Sequence, residues 1–354
     1  MSLDTTAPHA PPVPVQPAAR PYPHTGVTPS GPGGLRRSVV ADPGMCGPLA
    51  SFVARVGDWT WDAVGRAADL DVCGARGADG DPCYLSFHHL RLRTGGVGRD
   101  RAEPRRVTFG DRLDLRSRCY DAGRLSVLTS HRLAFATGAD GADGTDGADR
   151  ADGADGAVGD PDDETRAPHP GSLRVDVLNT WVTRGEHGGN AGLLRRPPVG
   201  YDRTLLPSRP DALDPTLDCR AARTALAFPD PARAHWPVAP GPAAAVDHEI
   251  DPVSDVNGAG LLYFATYVTL AERALYRQWR ERGGSRGDFA ARALCEARIS
   301  YFGNADPDTV LRLVPVTRTD PAEPGYEKTD VTIRDVTDGR LLAVALFRHR
   351  FPPA

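Results

Sequence analysis

The chain has 354 residues, a formal net charge of −4 and an apolar fraction of 40%. That length suggests about two domains and a sizeable core, and the small negative charge gives no bulk field for nucleic acid. No apolar run reaches the roughly 20 residues that cross a bilayer, and the N-terminus lacks the apolar centre of a secretory signal.

A cytoplasmic protein with neither a nucleic-acid nor a membrane partner is therefore expected. Lys328 is the only lysine, which excludes a Schiff-base or P-loop lysine elsewhere. Cys46, Cys73, Cys83, Cys119, Cys219 and Cys295 are scattered, with no CxxC and no histidine at metal spacing. Reduced thiols and no bound metal are expected. Cys46 is the one thiol placed to be reactive, because it lies in a loop that precedes an apolar helix.

In chain order, residues 1–38 are rich in Pro, Ala and Gly and read as a disordered arm. A first unit covers 39–136. It holds Met45–Val64 (MCGPLASFVARVGDWTWDAV), with a helix over Val56–Leu70 starting near Asp58. Strands follow at Tyr84–Arg93, Arg112–Ser117 and Ser126–Phe135. Residues 137–170 form a low-complexity insertion that repeats Gly-Ala-Asp between Gly138 and Gly159. Its period of three matches neither the nonapeptide calcium repeat nor an EF-hand loop, so a solvated, self-repelling segment is expected. Residues 171–244 read as the end of the first unit, with a strand at Ser172–Thr183, plus a Pro-rich linker.

A second unit covers 245–354. It opens on Asp255–Leu275 (DVNGAGLLYFATYVTLAERAL), a Gly-bearing loop running into a helix over Leu261–Trp279 that Gly283 and Gly284 stop. Strands follow at Ala297–Phe302, Thr309–Thr317, Lys328–Asp335 and Leu341–Phe351. The segment from Phe109 answers that from Asn304, and that from Ser126 answers that from Leu341. Gly47 set against Gly258 pairs Phe52 with Tyr263 and Ala54 with Ala265. One long helix followed by antiparallel strands, twice over, fits an α+β fold of two tandem hot-dog units whose sheets join edge to edge.

A Gly-bearing loop before a helix directs unpaired backbone N–H groups at its contents and suits a thioester oxygen. The Asn257–Gly260 loop, or its counterpart at Gly47, is expected to hold that oxygen. Hot-dog thioesterases carry an Asp-x-x-Gly-His loop with a Tyr and a Glu further on. Placing Tyr267 and Glu272 on those positions leaves Asn257 for the Asp and Leu261 for the His. Asn cannot act as a base, although Asp255 stands two residues away. The His-x-x-x-Gly-x-x-x-x-Pro pattern of dehydratases is absent, since His88, His89 and His187 all fail its spacing.

The ordered chain, about residues 39–350 without the insertion, resembles the LnmK family of acyltransferase/decarboxylases of leinamycin-type polyketide pathways. The resemblance rests on MCG at Met45, GDWTWD at Gly57, PCYLSF at Pro82, TFGDRL at Thr108 and SVLTSHR at Ser126. It continues through NTWVTR at Asn179, DVNGAGLLYFA at Asp255 and GNADPD at Gly303. It implies a double hot-dog fold that takes methylmalonyl from its CoA thioester, releases CO2 and passes propionyl to a phosphopantetheinylated acyl carrier protein.

No cofactor is implied beyond the CoA thioester substrate, and Tyr84 falls on the family's candidate acyl-carrying tyrosine. A phenol titrating near pH 10 needs activation to serve as a nucleophile. Asn257 joins Tyr84 as a catalytic candidate, as a donor to substrate or a helix cap. Gly47, Trp59, Gly258, Gly260 and Tyr263 are candidates for substrate binding.

Trp59 and Trp61 suit core or cleft wall, and His88 and His89 are expected on opposite faces of their strand. Arg91 and Arg93 face either a CoA phosphate or solvent. Pro48 and Leu49 replace a polar pair that the family carries after MCG. Two other readings stay open: a thioesterase or dehydratase-like hot dog, and a non-catalytic partner of carrier proteins. Fold analogy adds a homodimer.

Overall fold

The structure is a computed structural model that describes residues 26–95, 107–135, 168, 171–185, 188–230, 236–240, 245–323 and 325–351. The Gly-Ala-Asp insertion and the first 25 residues of the expected arm lie outside the described residues. The first half holds β1 (Thr28–Pro29), β2 (Gly34–Val40), α1 (Leu49–Ala67), β3 (Cys83–Thr94), β4 (Arg112–Asp121), β5 (Ser126–Phe135) and β6 (Ser172–Thr183). Then come β7 (Leu194–Arg195) and α2 (Thr216–Ala225). The second half holds β8 (Val246–Glu249), α3 (Phe264–Glu281), α4 (Arg286–Ala291), β9 (Ala293–Tyr301), β10 (Val310–Thr319), β11 (Tyr326–Asp335) and β12 (Leu341–Arg350).

One antiparallel sheet joins both halves in the order β1-β2-β4-β5-β6-β3-β9-β12-β11-β10-β8. Read outward from the β3–β9 junction, each half runs first, fourth, third and second strand after its helix, then the strand before it. The halves thus share one topology. This places β11 opposite β5, and β12 opposite β6. The expected match of the Ser126 and Leu341 segments is therefore shifted by one strand. The long insertion between β5 and β6 hid the fourth strand of the first half from the sequence comparison.

The ordered sheet also starts earlier than residue 39. Leu35 is buried, β2 pairs with β4 from Gly34↔Arg118 to Val40↔Arg112, and Arg37 bonds Asp62 of α1 at 2.6 Å. Two arginines in GLRRSVV masked an edge strand whose polar residues are paired. The 171–244 stretch is likewise more than strand and linker, since α2 and Phe228 cover the outer face over Val344 and Leu346.

Helix α1 begins at Leu49, not near Asp58, because the apolar repeat continues back through Val56, Val53 and Phe52 to Pro48. Asp58 sits inside the helix and pairs with Arg55 at 3.3 Å. Helix α3 starts later than Leu261, because side-chain oxygens hold the Leu261 and Leu262 N–H groups out of helical bonding. The loop-to-helix distances therefore differ in the two halves, and Gly47 and Gly258 are not equivalent.

The helices pack so that the start of α3 meets the middle of α1. A Cβ on Gly57 would lie 2.4 Å from Cζ of Phe264, whose ring is stacked on Phe87 at 3.8 Å. Buried polar contacts tie α1 to the sheet: His131 lies 2.9 Å from both Thr60 Oγ1 and Ser117 Oγ. Burial, followed by Arg37, drives the His131 imidazole down to about 3.

Helix propensity alone favours Gly57→Ala by about 1 kcal/mol. The blocked Phe264 ring reverses that sign, and a net loss of about 1–3 kcal/mol is expected in urea unfolding. A midpoint at or above wild type would show that the aromatic pair yields. Folding stability is also expected to decline as the pH drops from about 6.5 toward about 3, because the unfolded chain takes up a proton that folded His131 refuses. A folded-state NMR titration of His131 near 6.5 would contradict this.

Candidate active site

Strand β3 pairs with β6 along its whole length but with β9 only from His89↔Ser300 to Arg93↔Glu296. The segment Cys83–His88 therefore has one open edge. A cavity of about 240 Å³ fills that notch. Its walls come from Tyr84, Ser86, His88 and Thr180 on the outer face, from Leu85 and Phe87 on the core face, and from Trp61, Asn257, Phe264 and Tyr301. Cys83 N–H bonds the Ala75 carbonyl, and the Leu85 carbonyl accepts Trp61 Nε1–H at 3.2 Å, both away from β6. Because the N–H and C=O of one strand residue face the same edge, Leu85 turns its N–H into the notch as well.

The Asn257–Gly260 loop is built differently from expectation. The N–H groups of Asn257, Ala259 and Gly260 are consumed internally. Asn257 Oδ1 accepts Ala259 N–H and Leu261 N–H at 3.0 Å each, and the Asn257 carbonyl accepts Gly260 N–H. Asn304 Oδ1 takes Leu262 N–H at 2.9 Å, and the Asp255 carbonyl takes Tyr263 N–H. No row of free N–H groups remains there for a thioester oxygen.

Asn257 does not cap α3 either, since Tyr263 holds that position. With Oδ1 committed to two donors, Asn257 keeps its amide N–H groups as the donors it can offer to the cavity that it lines. Gly260 is needed for the turn: its φ is +72°, and a Cβ would stand 2.8 Å from Arg184 Nη2. Gly258 is exposed and lines neither this cavity nor the second one described below.

Two asparagines hold the notch open. Asn190 is buried and donates Nδ2–H to the carbonyls of Gly260 at 2.7 Å and Ala305 at 3.0 Å. Asn304 bonds both the N–H and the C=O of Leu262. Asn304 stood inside the GNADPD motif, whereas Asn190 carried no sequence signal because it lies in the stretch read as linker.

Three tyrosines line the cavity, and two are committed. Tyr267 donates its hydroxyl to the Gly303 carbonyl at 3.0 Å, and Tyr301 to the Phe264 carbonyl at 3.3 Å. Burial raises both phenols, so they stay protonated. The Tyr84 hydroxyl has no protein partner among the described residues.

His88 is the extra residue of a β-bulge between Phe87 and His89, which leaves both histidines on the outer face instead of one on each side. Burial first, then Arg195 and Arg223, hold His88 neutral, down to about 4. His89 is locked at 2.9 Å to Ser300 Oγ. No Asp or Glu lines the cavity. Asp255 is turned away, engaged by His248 at 2.7 Å and by Asp251 N–H at 2.9 Å. Arg91 and Arg93 are taken by Glu296 and Asp176, so neither is free for a phosphate.

A second cavity, about 310 Å³, lies at the other end of the junction. Gly47 and Cys46 fall here, so the two loops serve separate cavities. Glu272 also lines it, apart from Asn257, and its carboxylate takes Leu49 N–H and Arg292 Nη2 at 2.8 Å. The Cys46 thiol is pushed up by burial, then by Asp111 and Asp42, which leaves it a poor nucleophile. Trp59 is a core residue, packed edge-on to Phe52 and lining neither cavity. Trp61 is the cleft-wall tryptophan instead. Tyr263 packs on Phe264 outside both linings.

The model of the LnmK N-terminal Hot Dog Fold domain matches residues 36–230, more than half of the chain. The chain belongs to the LnmK hot-dog family. A putative oleoyl thioesterase from Lactobacillus plantarum is similar in structure with a TM-score of 0.55, at 8% identity over 91% of this chain and 97% of that one. An acyl-ACP thioesterase from Bacteroides thetaiotaomicron gives a TM-score of 0.49 at 9% identity, over 90% and 98% of the two chains. No curated protein sequence matches the chain significantly. The family match and the similar structure of the oleoyl thioesterase agree on a hot-dog fold. No helix among the described residues is long and apolar enough to cross a membrane.

Asn190→Ala is expected to lower stability by about 1–3 kcal/mol, since it strands the buried carbonyls of Gly260 and Ala305. Hydrogen exchange at Ala259–Leu262 should speed up in the same variant. Unchanged protection of that loop would show that Asn190 does not hold it.

Proposed function

We propose that the two halves are tandem hot-dog units and that the β3 notch is the site of an acyltransferase/decarboxylase. The observation that carries this reading is the chemistry of the cavity wall. A free phenol and neutral amide donors stand there, with no carboxylate to activate water. The substrate is a malonyl-type CoA thioester, methylmalonyl-CoA in the first instance, and the acceptor is a phosphopantetheinylated acyl carrier protein.

Loss of CO2 from such a thioester moves the C–COO⁻ electron pair onto the thioester oxygen as an enolate. The Asn257 amide and the Leu85 N–H supply donors for that oxyanion, and one such donor contributes about 2.7–4 kcal/mol. A proton from solvent then returns to the α-carbon. Tyr84 Oη attacks the thioester carbonyl, the C–S bond breaks, and the phenol proton leaves with the departing sulfur as the CoA thiol. The resulting tyrosyl ester passes its acyl group to the carrier thiol, and the phenol is regenerated. Family membership supports acyl-thioester chemistry at this site, and the cavity wall favours this reaction over hydrolysis. The Asp255-dependent thioesterase alternative loses its base, because that carboxylate is turned away from the cavity.

The test is Tyr84→Phe, assayed by mass spectrometry with methylmalonyl-CoA and a phosphopantetheinylated carrier. Propionyl transfer should vanish while release of CO2 continues. Full transfer by the variant would remove Tyr84 as the acyl carrier. Free acid from the wild type, without transfer, would point to a thioesterase.

A further inference from the structure

Among the described residues many arginines sit against a carboxylate: Arg91 and Arg298 on Glu296, Arg93 on Asp176, Arg282 on Glu327, Arg348 on Asp230. Two exposed arginines at the outer mouth of the notch do not. Arg195 of β7 lines the cavity, in the cross-strand row Tyr84–Val182–Arg195. Arg223 of α2 lies over the ring of Phe302, 4.8 Å from its centroid, and Phe302 lines the same cavity. Among the described residues neither guanidinium has an ion-pair partner. Both also act on the imidazole of His88, which lines the same cavity.

Two guanidiniums without an ion-pair partner, beside a cavity with no carboxylate on its wall, form a receptor for a doubly charged oxyanion. The same cavity takes in the open edge of β3, whose backbone groups suit an extended chain bearing amides. Tyr84 and Asn257 line it too. A ligand with a phosphate at its outer end, amides along its length and a thioester at its inner end finds a partner there for each group.

We propose that Arg195 and Arg223 grip the phosphate of a phosphopantetheine arm threaded along the open edge of β3. This rests on the proposed function for the identity of the inner end. The phosphate belongs either to coenzyme A or to the prosthetic group of a carrier protein, and the chemistry recognised is the same.

The experiment is calorimetric binding of coenzyme A, free 4′-phosphopantetheine, pantetheine and a holo carrier protein. It compares the wild-type chain with an Arg195→Ala/Arg223→Ala double variant. The wild type should bind phosphopantetheine at least tenfold more tightly than pantetheine. The double variant should lose that preference while binding pantetheine as before, with an unchanged urea midpoint. Loss for coenzyme A alone assigns the phosphate to the donor, and loss for the carrier alone assigns it to the acceptor. Equal wild-type affinity for phosphopantetheine and pantetheine, absence of binding to all four probes, or a preference kept by the double variant overturns the inference. Because binding is read without turnover, a protein that shows the preference yet transfers no acyl group sinks the acyltransferase reading and leaves the phosphate site standing.

Discussion

The pairing of β3 with β9 is the constraint on which the rest of the molecule depends. It joins the two halves of the sheet through five residue pairs, although β3 is 12 residues long. At its centre Arg91 faces Arg298, an arrangement that repels unless compensated. Glu296 accepts from both guanidiniums, at 3.0 and 2.7 Å, and Asp218 takes Arg298 at 3.2 Å. Burial alone would raise the Glu296 carboxyl, but Arg298 and then Arg91 outweigh it and hold it low. Carboxylates thus allow the overlap to form, and its shortness leaves the β3 edge open. A β9 that ran the full length of β3 would fill the notch with ladder hydrogen bonds. The His88 bulge sits where the pairing stops.

The near-twofold relation of the halves accounts for the place of the two cavities described above, each at a helix start. The start of α3 meets Gly57 and Trp61 of α1, and the start of α1 meets Glu272 of α3. In the second place a carboxylate occupies the electropositive helix end, a favourable contact, and Arg292 completes the pair. In the first, the loop N–H groups are satisfied by Asn257, Asn304 and the Asp255 carbonyl, none of them an ionised side chain. The same fold therefore yields one cavity with a carboxylate at its helix start and one with neutral acceptors there.

Much of the fold was legible in the sequence because period and punctuation agree. Strands β5 and β6 begin and end where their alternation does, and α3 stops before Gly283, whose φ of +85° ends the helix. Strand β2 was illegible because its arginines are paired across the sheet and to α1, which a local window does not reveal. The site was legible in part. The structure brings to one cavity Tyr84, a candidate from the family resemblance, and Asn257, a candidate from the Gly-bearing loop. The supposed free loop N–H groups were a misreading: sequence shows a Gly-bearing loop but not that the Asn257 carboxamide and the distant Asn304 already fill it. Asn190 and Arg195 act through contacts across the sheet from a stretch that looks like linker, so no local pattern marks them.

Joining the halves in one chain is what lets the cavities differ. A symmetric dimer of identical subunits repeats every side chain at both sites, so a carboxylate such as Glu272 appears at both or at neither. Here charge can be graded along a single path. Arg195 and Arg223 stand at the mouth, where on the proposed reading a phosphate stays hydrated and paired. Arg340, also on the wall, is already held by Asp335, Asp338 and the Asn304 carbonyl. By the same reading a carboxylate carried inward therefore loses water and gains no unpaired cation, and expulsion of CO2 relieves that penalty by delocalising the remaining charge onto the thioester oxygen. On the proposed reading, the missing acid on the cavity wall and the unpaired arginines at its mouth are two parts of one electrostatic arrangement. The arginines hold the anionic handle, and the interior disfavours the anionic group that must leave.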